Sequence, residues 1–329
     1  MIVTPLMEIK LAIVVPNWNG ADFIAPCLQS LLAQTINCSV IVVDNGSVDN
    51  SLQIIKIQFP QVILIELPKN TGFAGGVNTG IKYAMEHGAK AVALFNNDAV
   101  AKTTWLQELV SEMDQNPSAG IVTGKLMRSD KLHIDSTGDY YSTWGIPFPR
   151  GRNHPDSGQF DKPEPVFAAS GGASLYRAVL LQEIGLFDER FFAYYEDVDI
   201  SFRAQLAGWG VRYTPKAVAY HHVGATSSKL GDFTRFHSIK NFLLLYTKCM
   251  PAKLYWKYLP VFLYQFARTT LRSVIDRKPQ VWLKAVVSFV IMVPGLLRDR
   301  WNIQKKRKVP TDAVEQLLHT KRPPKIPEL

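Results

Sequence analysis

Cysteine is scarce, with only Cys27, Cys38 and Cys249 in 329 residues. They show neither the paired spacing of a zinc site nor the even count of a disulfide framework. That points to a reducing compartment and argues against a structural zinc. Charged residues are held to 20% while hydrophobic ones reach 47%, a balance that excludes a disordered chain. Internal repeats and low-complexity runs are absent. The N-terminus has no basic stretch leading into a long apolar run, so no signal peptide is expected. The glycine run near residue 72 is followed by no Gly-Lys-Ser/Thr, which rules out a P-loop, and no G-x-G-x-x-G follows the first apolar run, which rules out a Rossmann dinucleotide fingerprint.

What is present is a chain long enough for one large or two ordinary domains. Its net charge of +9 is unevenly placed. From Lys229 to Leu329 there are 20 Lys/Arg against 6 Asp/Glu, a net +14; the preceding residues hold 17 against 22, a net −5. Any membrane or nucleic-acid affinity therefore belongs to the tail.

Residues 8–125 alternate apolar runs with helical spacing. "LAIVVP", "SVIVVD", "VILIEL" and "AVALFN" read as strands; "FIAPCLQSLLAQ", "NSLQIIKIQF" and "VNTGIKYAMEHG" read as helices. This order predicts a parallel sheet with right-handed crossovers. From about Lys131 to Pro165 prolines and glycines dissolve the pattern, and a long loop is expected. Helix "AVLLQEIG" and two short strands, "VRYTP" and "AVAYHH", complete the compact part near Ser228. The tail beyond it is apolar, aromatic and cationic.

Each early strand ends in polar residues: Asn17-Trp18-Asn19, Asp44-Asn45-Gly46-Ser47-Val48-Asp49, Asn70-Thr71-Gly72 and Asn96-Asn97-Asp98. Four such ends in succession describe a crevice along the carboxyl edge of a sheet, the expected place for a nucleotide. For Asp98 alone two readings stand: a metal ligand, or a cap for the helix expected at "TTWLQELVSEM". Gly72, Gly75, Gly76 and Gly80 surround a helix start that suits close approach to phosphate. Glu196, Asp197 and Asp199 gather at another helix start beside Tyr194 and Tyr195. Burial against rings and repulsion between like charges would raise a carboxylate pKa there, as a general base requires. The same acids also suit a helix N-terminus, and Asp199 stands four residues from Arg203. The adjacent His221 and His222 point to opposite faces of a strand, so they are not expected to share one site.

Taken together, "VVPNWNG", "VVDNGSVDNS", "NTGFAGGVNTG", "LFNNDA", "SGGASLYR", "GLFDERFFAYYEDVDISFR" and "HHVGATS" resemble glycosyltransferase family 2, the inverting GT-A type, and within it the bacterial rhamnosyltransferase-like branch. The motifs occur in family order over roughly residues 9–228. The resemblance implies an α/β fold with a Rossmann-like, mostly parallel sheet. The catalytic domain would span 1–228, with a nucleotide-sugar half at 8–125 and an acceptor half at 126–228, followed by a helical, membrane-associating region at 229–329.

By the same resemblance Pro16, Asn17, Asn19, Asp44, Ser47, Asp49, Asn70, Gly72, Phe73, Asn78 and Asn97 form the donor cleft. Gly171, Gly172 and Tyr195 shape the acceptor side. Asp197 is the base, with Glu196 beside it; Asp98 and His221 hold Mg²⁺ or Mn²⁺. Asn96-Asn97-Asp98 departs from the family's Asp-x-Asp, leaving one carboxylate for the metal. The implied partners are a nucleotide-diphosphate sugar, with dTDP-L-rhamnose favoured, and a lipid-linked saccharide at the cytoplasmic face of the cell membrane.

Two other readings can be separated from this one. A sugar nucleotidyltransferase would carry a Gly-rich, basic loop after the first strand, which "PNWNGADF" lacks. A non-enzymatic module could use "KKRK" at 305–308 on nucleic acid. The long aliphatic runs of the tail favour lipid over nucleic acid as its partner. The segment 281–297 is short for a span and holds Lys284 and Pro294, so docking at the interface is expected, with a helix buried on the catalytic domain as the alternative.

Overall fold

The computed structural model describes residues 9–222 and 231–324. The end of the "HHVGATS" motif and the expected boundary at 228 lie outside those residues. The first half alternates as its pattern predicts: β1 (Leu11–Asn17), α1 (Ile24–Leu32), β2 (Ser39–Asp44), α2 (Ser51–Gln58), β3 (Ile63–Glu66), α3 (Gly72–Glu86) and β4 (Ala91–Phe95). β1 lies between β2 and β4, parallel to both, and β3 extends the sheet beyond β2. Strand alternation divides the core. Ile13 and Val15 face a layer containing Leu28, Ile55 and Leu109, while Ala12 and Val14 face one containing Val77, Ile81 and Ile200. α3 begins at Gly72, so the glycine run is its opening turn.

The chain continues through β5 (Ala99–Ala101), α4 (Trp105–Gln115), β6 (Ala119–Arg128), β7 (Ile134–Ser136), β8 (Asp139–Tyr141), β9 (Pro147–Pro149), β10 (Glu164–Pro165), β11 (Ala173–Arg177), α5 (Ala178–Ile184), α6 (Glu196–Leu206) and β12 (Gly210–His221). The sheet order is β10-β12-β6-β11-β4-β1-β2-β3, with β11 antiparallel to both neighbours. Two expectations are corrected here. The two short strands after Gly208 are one strand, β12, because a register shift between Tyr213 and Val218 lets it pair with β6 on both sides of the irregularity. The stretch 131–165 is not a plain loop. Its short strands pair with β6, with each other and with β12, and Asp135, Ser136, Thr137 and Tyr141 are buried.

The tail forms α7 (Gly231–Cys249), α8 (Ala252–Ile275), α9 (Pro279–Lys305) and α10 (Thr311–Leu317). α7 is not peripheral: Phe242, Leu244, Leu245 and Tyr246 pack in one cluster with Phe191, Val198 and Phe202. α9 covers α7 and is tied to the rest by Arg190 with Asp299 and by Arg300, which donates to the Thr247 carbonyl at 2.7 Å. Among the described residues α9 is the one helix long and apolar enough to cross a membrane, yet it is neither free nor buried. Val281, Ala285 and Leu296 face inward, while Leu283, Val287, Val290, Ile291 and Leu297 face out. After α10, His319 donates to the Tyr141 carbonyl at 2.9 Å, returning the chain to the acceptor half.

Candidate active site

The carboxyl ends of β1, β2 and β4 are laced by amides. Asn17 is fully buried; its Nδ2 donates to Asp44 Oδ1 and to Ser51 Oγ, both at 2.9 Å, and its Oδ1 accepts from Asn97 Nδ2 at 2.9 Å. Asn19 donates its N–H to Ser47 Oγ at 2.9 Å and accepts from the Val48 N–H at 2.8 Å. Asp49 accepts from the N–H groups of Ala21 and Ser51. Asn70 Oδ1 accepts the Gly72 N–H at 2.8 Å, and Asn45 accepts from Thr71 and donates to the Gly72 carbonyl. Gly72 has φ +78°, and a Cβ there would come within 2.4 Å of the Phe192 carbonyl, so only glycine fits between the two halves.

These ends open on a cavity of about 480 Å³. Pro16, Asn17, Asn70, Gly72, Phe73, Asn97 and Asp98 line it on one side; Gly171, Gly172, Tyr195, Glu196, Asp197 and His221 line it on the other. Asn19, Asp44, Ser47 and Asp49 stand outside this lining, their polar atoms engaged in the lacing above. Asn78, too, is not among the residues that line the cavity. Its amide accepts from the Phe187 N–H at 3.0 Å and donates to the Phe187 carbonyl at 2.8 Å, clamping α3 to the chain that leads into the acids.

Asp98 does not cap a helix. β5 follows it immediately, and α4 starts only at Trp105. Pairing of β5 with β12 sets Ala99 opposite His221 and brings His221 Nε2 within 3.1 Å of Asp98 Oδ1. His221 Nδ1 meets Asp135 Oδ2 at 2.8 Å, and Asp135 meets Arg152 at 2.9 Å. Burial disfavours a charged His221, but the two carboxylates prevail and raise its pKa to about 10. His222 points the other way and packs on Phe23 at 5.3 Å.

The acids open α6. The loop before them is strained: Phe192, Tyr194 and Tyr195 have φ of 67°, 71° and 69°. Each such conformation costs on the order of 1–3 kcal/mol and persists only where its surroundings impose it. The buried Asn241 of α7 does so, donating to the carbonyls of Phe191, Ala193 and Tyr194 at 3.0, 2.8 and 2.7 Å. Asp197 accepts from the Gly171 and Val198 N–H groups, both at 2.8 Å. Burial still lifts its pKa above the ordinary value despite those bonds. Burial and then the Asp197 charge lift Glu196, whose Oε2 is buried without a hydrogen-bond partner, well above its usual range. The same two causes push Asp139 up to about 7. These carboxyls line one cavity. Asp135, Asp139, Arg152 and Asn241 were not foreseen, because no local pattern marks them. Asp199, by contrast, is structural, fully buried with Arg203 at 2.8 Å and Lys248 at 2.8 Å.

A family model described as "Glycosyl transferase family 2" matches residues 12–185, from β1 into the loop after α5. The chain belongs to glycosyltransferase family 2. This glycosyltransferase is 28% identical over 222 residues to the dTDP-rhamnosyl transferase RfbF of Shigella flexneri, covering 64% of this chain and 72% of that protein. It is 30% identical over 239 residues to the N-acetylglucosaminyl-diphospho-decaprenol L-rhamnosyltransferase of Mycobacterium tuberculosis, covering 64% and 76%. Among solved structures it resembles residues 1–349 of S. aureus TarS in complex with UDP-GlcNAc, with TM-score 0.56, 19% identity and coverage of 95% and 93%. It also resembles the mannosyltransferase PcManGT of Pyrobaculum calidifontis in complex with GDP-Man and Mn²⁺, with TM-score 0.54, 16% identity and coverage of 94% and 84%. These likenesses establish the GT-A type of fold for the glycosyltransferase. The matched family region carries Asp98 and Gly171 but ends before Asp197 and His221, which the fold brings to the same cavity.

Proposed function

We propose that this glycosyltransferase moves L-rhamnose from dTDP-L-rhamnose, with inversion, to a hydroxyl of a lipid-linked saccharide in cell-surface polysaccharide synthesis. The observation that carries the reading is Asp197, held by two backbone N–H groups in the same cavity as Asp98 and His221. The rhamnosyl donors and the diphospho-decaprenol acceptor in the names of the two relatives support the choice of sugar and of acceptor class.

The residues fit a divalent cation. Asp98 Oδ1 and His221 Nε2 are neighbours in the cavity, and Asp135 orients the imidazole from behind, as partners of metal-bound histidines do. Among the described residues no three His, Cys, Asp or Glu are grouped so as to hold a metal ion by themselves, so diphosphate oxygens and water would complete the shell of Mg²⁺ or Mn²⁺. When bound, the cation would neutralise charge on the departing nucleoside diphosphate. Arg152, which also lines the cavity, adds a fixed positive charge. Asp197 takes the proton of the acceptor hydroxyl, which attacks the anomeric carbon from the face opposite the diphosphate. With one base and no protein nucleophile the configuration inverts. The Gly171 and Val198 N–H groups keep the Asp197 carboxylate in one orientation throughout.

Release of nucleoside diphosphate from dTDP-L-rhamnose, UDP-GlcNAc and GDP-mannose, each with Mn²⁺ or Mg²⁺, tests the donor. Turnover is expected with dTDP-L-rhamnose above the others. Preference for another donor would displace the sugar assignment, and silence with every donor would remove the reading altogether.

We infer that residues 231–324 complete the catalytic domain on one side and turn the other toward the inner surface of the cell membrane. The support is the outward row on α9, where Ile291 is 74% exposed, with Trp256 of α8 69% and Trp301 of α9 62% exposed and the exposed cations Arg277 and Arg298 beside that row in sequence. Truncation would strip α9 from α7, so the test uses Val287→Glu with Ile291→Glu. The wild type is expected to sediment with anionic liposomes at low salt, less at high salt, and the double variant to stay in the supernatant. Equal sedimentation of both would overturn the docking face.

A further inference from the structure

A second cavity, of about 370 Å³, adjoins the first, and Tyr195 and Ser238 line both. α7, α8 and the segment after α10 enclose it, and it draws Arg235, Arg268, Arg272 and Arg322 together. One acid, Asp276, answers them, 2.6 Å from Arg235 and 3.1 Å from Arg272. Among the described residues Arg268 and Arg322 have no carboxylate partner; they lie over the rings of Tyr264 and Trp144, each at 5.9 Å. No Asp or Glu lines the cavity itself. Four guanidiniums facing a single carboxylate leave a positive surplus that suits a multiply charged anion. Planar forks of donors favour phosphate in particular.

The mouth of the cavity has the opposite character. Leu271 and Ile275 line it and are 60% and 65% exposed, and Val274 beside them is 57% exposed. An occupant therefore meets Arg235 and Arg268 within, the exposed Arg272 and Arg322 together with hydrocarbon toward solvent, while the Tyr195 wall leads to Asp197. We propose that this cavity binds the diphosphate of a lipid-linked acceptor, with its saccharide directed past Tyr195 and Ser238 toward Asp197 and its hydrocarbon chain leaving over Leu271 and Ile275. This rests on the reading of the acceptor as lipid-linked and assigns the residues that recognise it.

Farnesyl diphosphate, farnesol, inorganic pyrophosphate and phosphatidylglycerol vesicles are the probes, with binding to the full chain followed by calorimetry. Farnesyl diphosphate is expected to bind at least about tenfold more tightly than farnesol or pyrophosphate, because only it engages both the arginines and the apolar exit. Arg268→Ala with Arg322→Ala is expected to weaken it by about tenfold or more. Arg272→Ala with Arg322→Ala changes two exposed side chains and serves as the second variant, with melting temperature read for both. It is expected to weaken farnesyl diphosphate in the same direction. Equal affinity for farnesyl diphosphate and farnesol, or variants that melt and bind as the wild type, would overturn the site. Pyrophosphate binding as tightly as farnesyl diphosphate would remove the lipid from the proposal. Vesicle binding that falls in the variants while farnesyl diphosphate binding holds would make this a phospholipid headgroup contact and overturn it too. A wild type that releases nucleoside diphosphate but fails these tests loses only this site. A wild type that passes them and turns over no donor loses only the proposed reaction.

Discussion

Asp197→Asn is expected to lower turnover by about 10²–10⁴-fold while leaving donor affinity nearly unchanged. The substitution keeps the size of the side chain and an oxygen for the Gly171 and Val198 N–H groups, so the loss isolates the proton-accepting role. Steady-state kinetics with donor titration reads both quantities. A loss confined to donor affinity would assign Asp197 elsewhere and make Glu196 the base. The pH profile gives an independent check. A base works only when deprotonated, and burial raises the Asp197 pKa above its ordinary 3.8, so kcat/KM should rise with pH along a limb displaced upward from that value. Asp139 faces Asp197 as a like charge and itself titrates near 7. The Asp197 charge helps raise Asp139, so Asp139 keeps its proton while Asp197 loses its own, and Asp139→Asn should leave the limb in place. A limb that moved to lower pH would show that Asp139 is charged first.

Asp98→Asn is expected to abolish Mn²⁺- or Mg²⁺-dependent transfer while the protein melts close to the wild type. Asp98 is the carboxylate that meets His221 inside the cavity, and an amide of equal size keeps the packing but not the charge. A divalent cation prefers anionic oxygen, and neutral Asn96 and Asn97 do not replace it. In the wild type, EDTA should stop nucleoside-diphosphate release and excess Mn²⁺ should restore it. In the variant, added Mn²⁺ should restore nothing, and Mn²⁺ binding followed by electron paramagnetic resonance should weaken. Near-normal activity with the same metal requirement would remove Asp98 from the metal site.

Short-range patterns made much of the catalytic half legible. Buried parallel strands are continuous apolar runs, and β1, β2 and β4 announced themselves so; the polar residues that end them then had to meet at one sheet edge. The acids before "VDISFR" were equally plain, since charge clustered at a helix start is a local signal. The pairing of Asn78 with Phe187 was not legible, because the two are far apart along the chain.

The alternating first half, the polar strand ends including Asp98, the acids at 196–199 and the basic, apolar tail are legible in the chain alone, because strand and helix periods and charge clusters are written in neighbouring residues. Long-range packing alone brings Asp139 and Arg152 into the cavity, sets Asp135 behind His221, makes Asn241 hold the strained loop before Asp197, and leaves α7 in the core while α9 shows an apolar face. Those roles depend on partners dozens of residues away along the chain. Burial, pKa and hydrogen bonding come from the packed environment, which no window of neighbouring residues encodes.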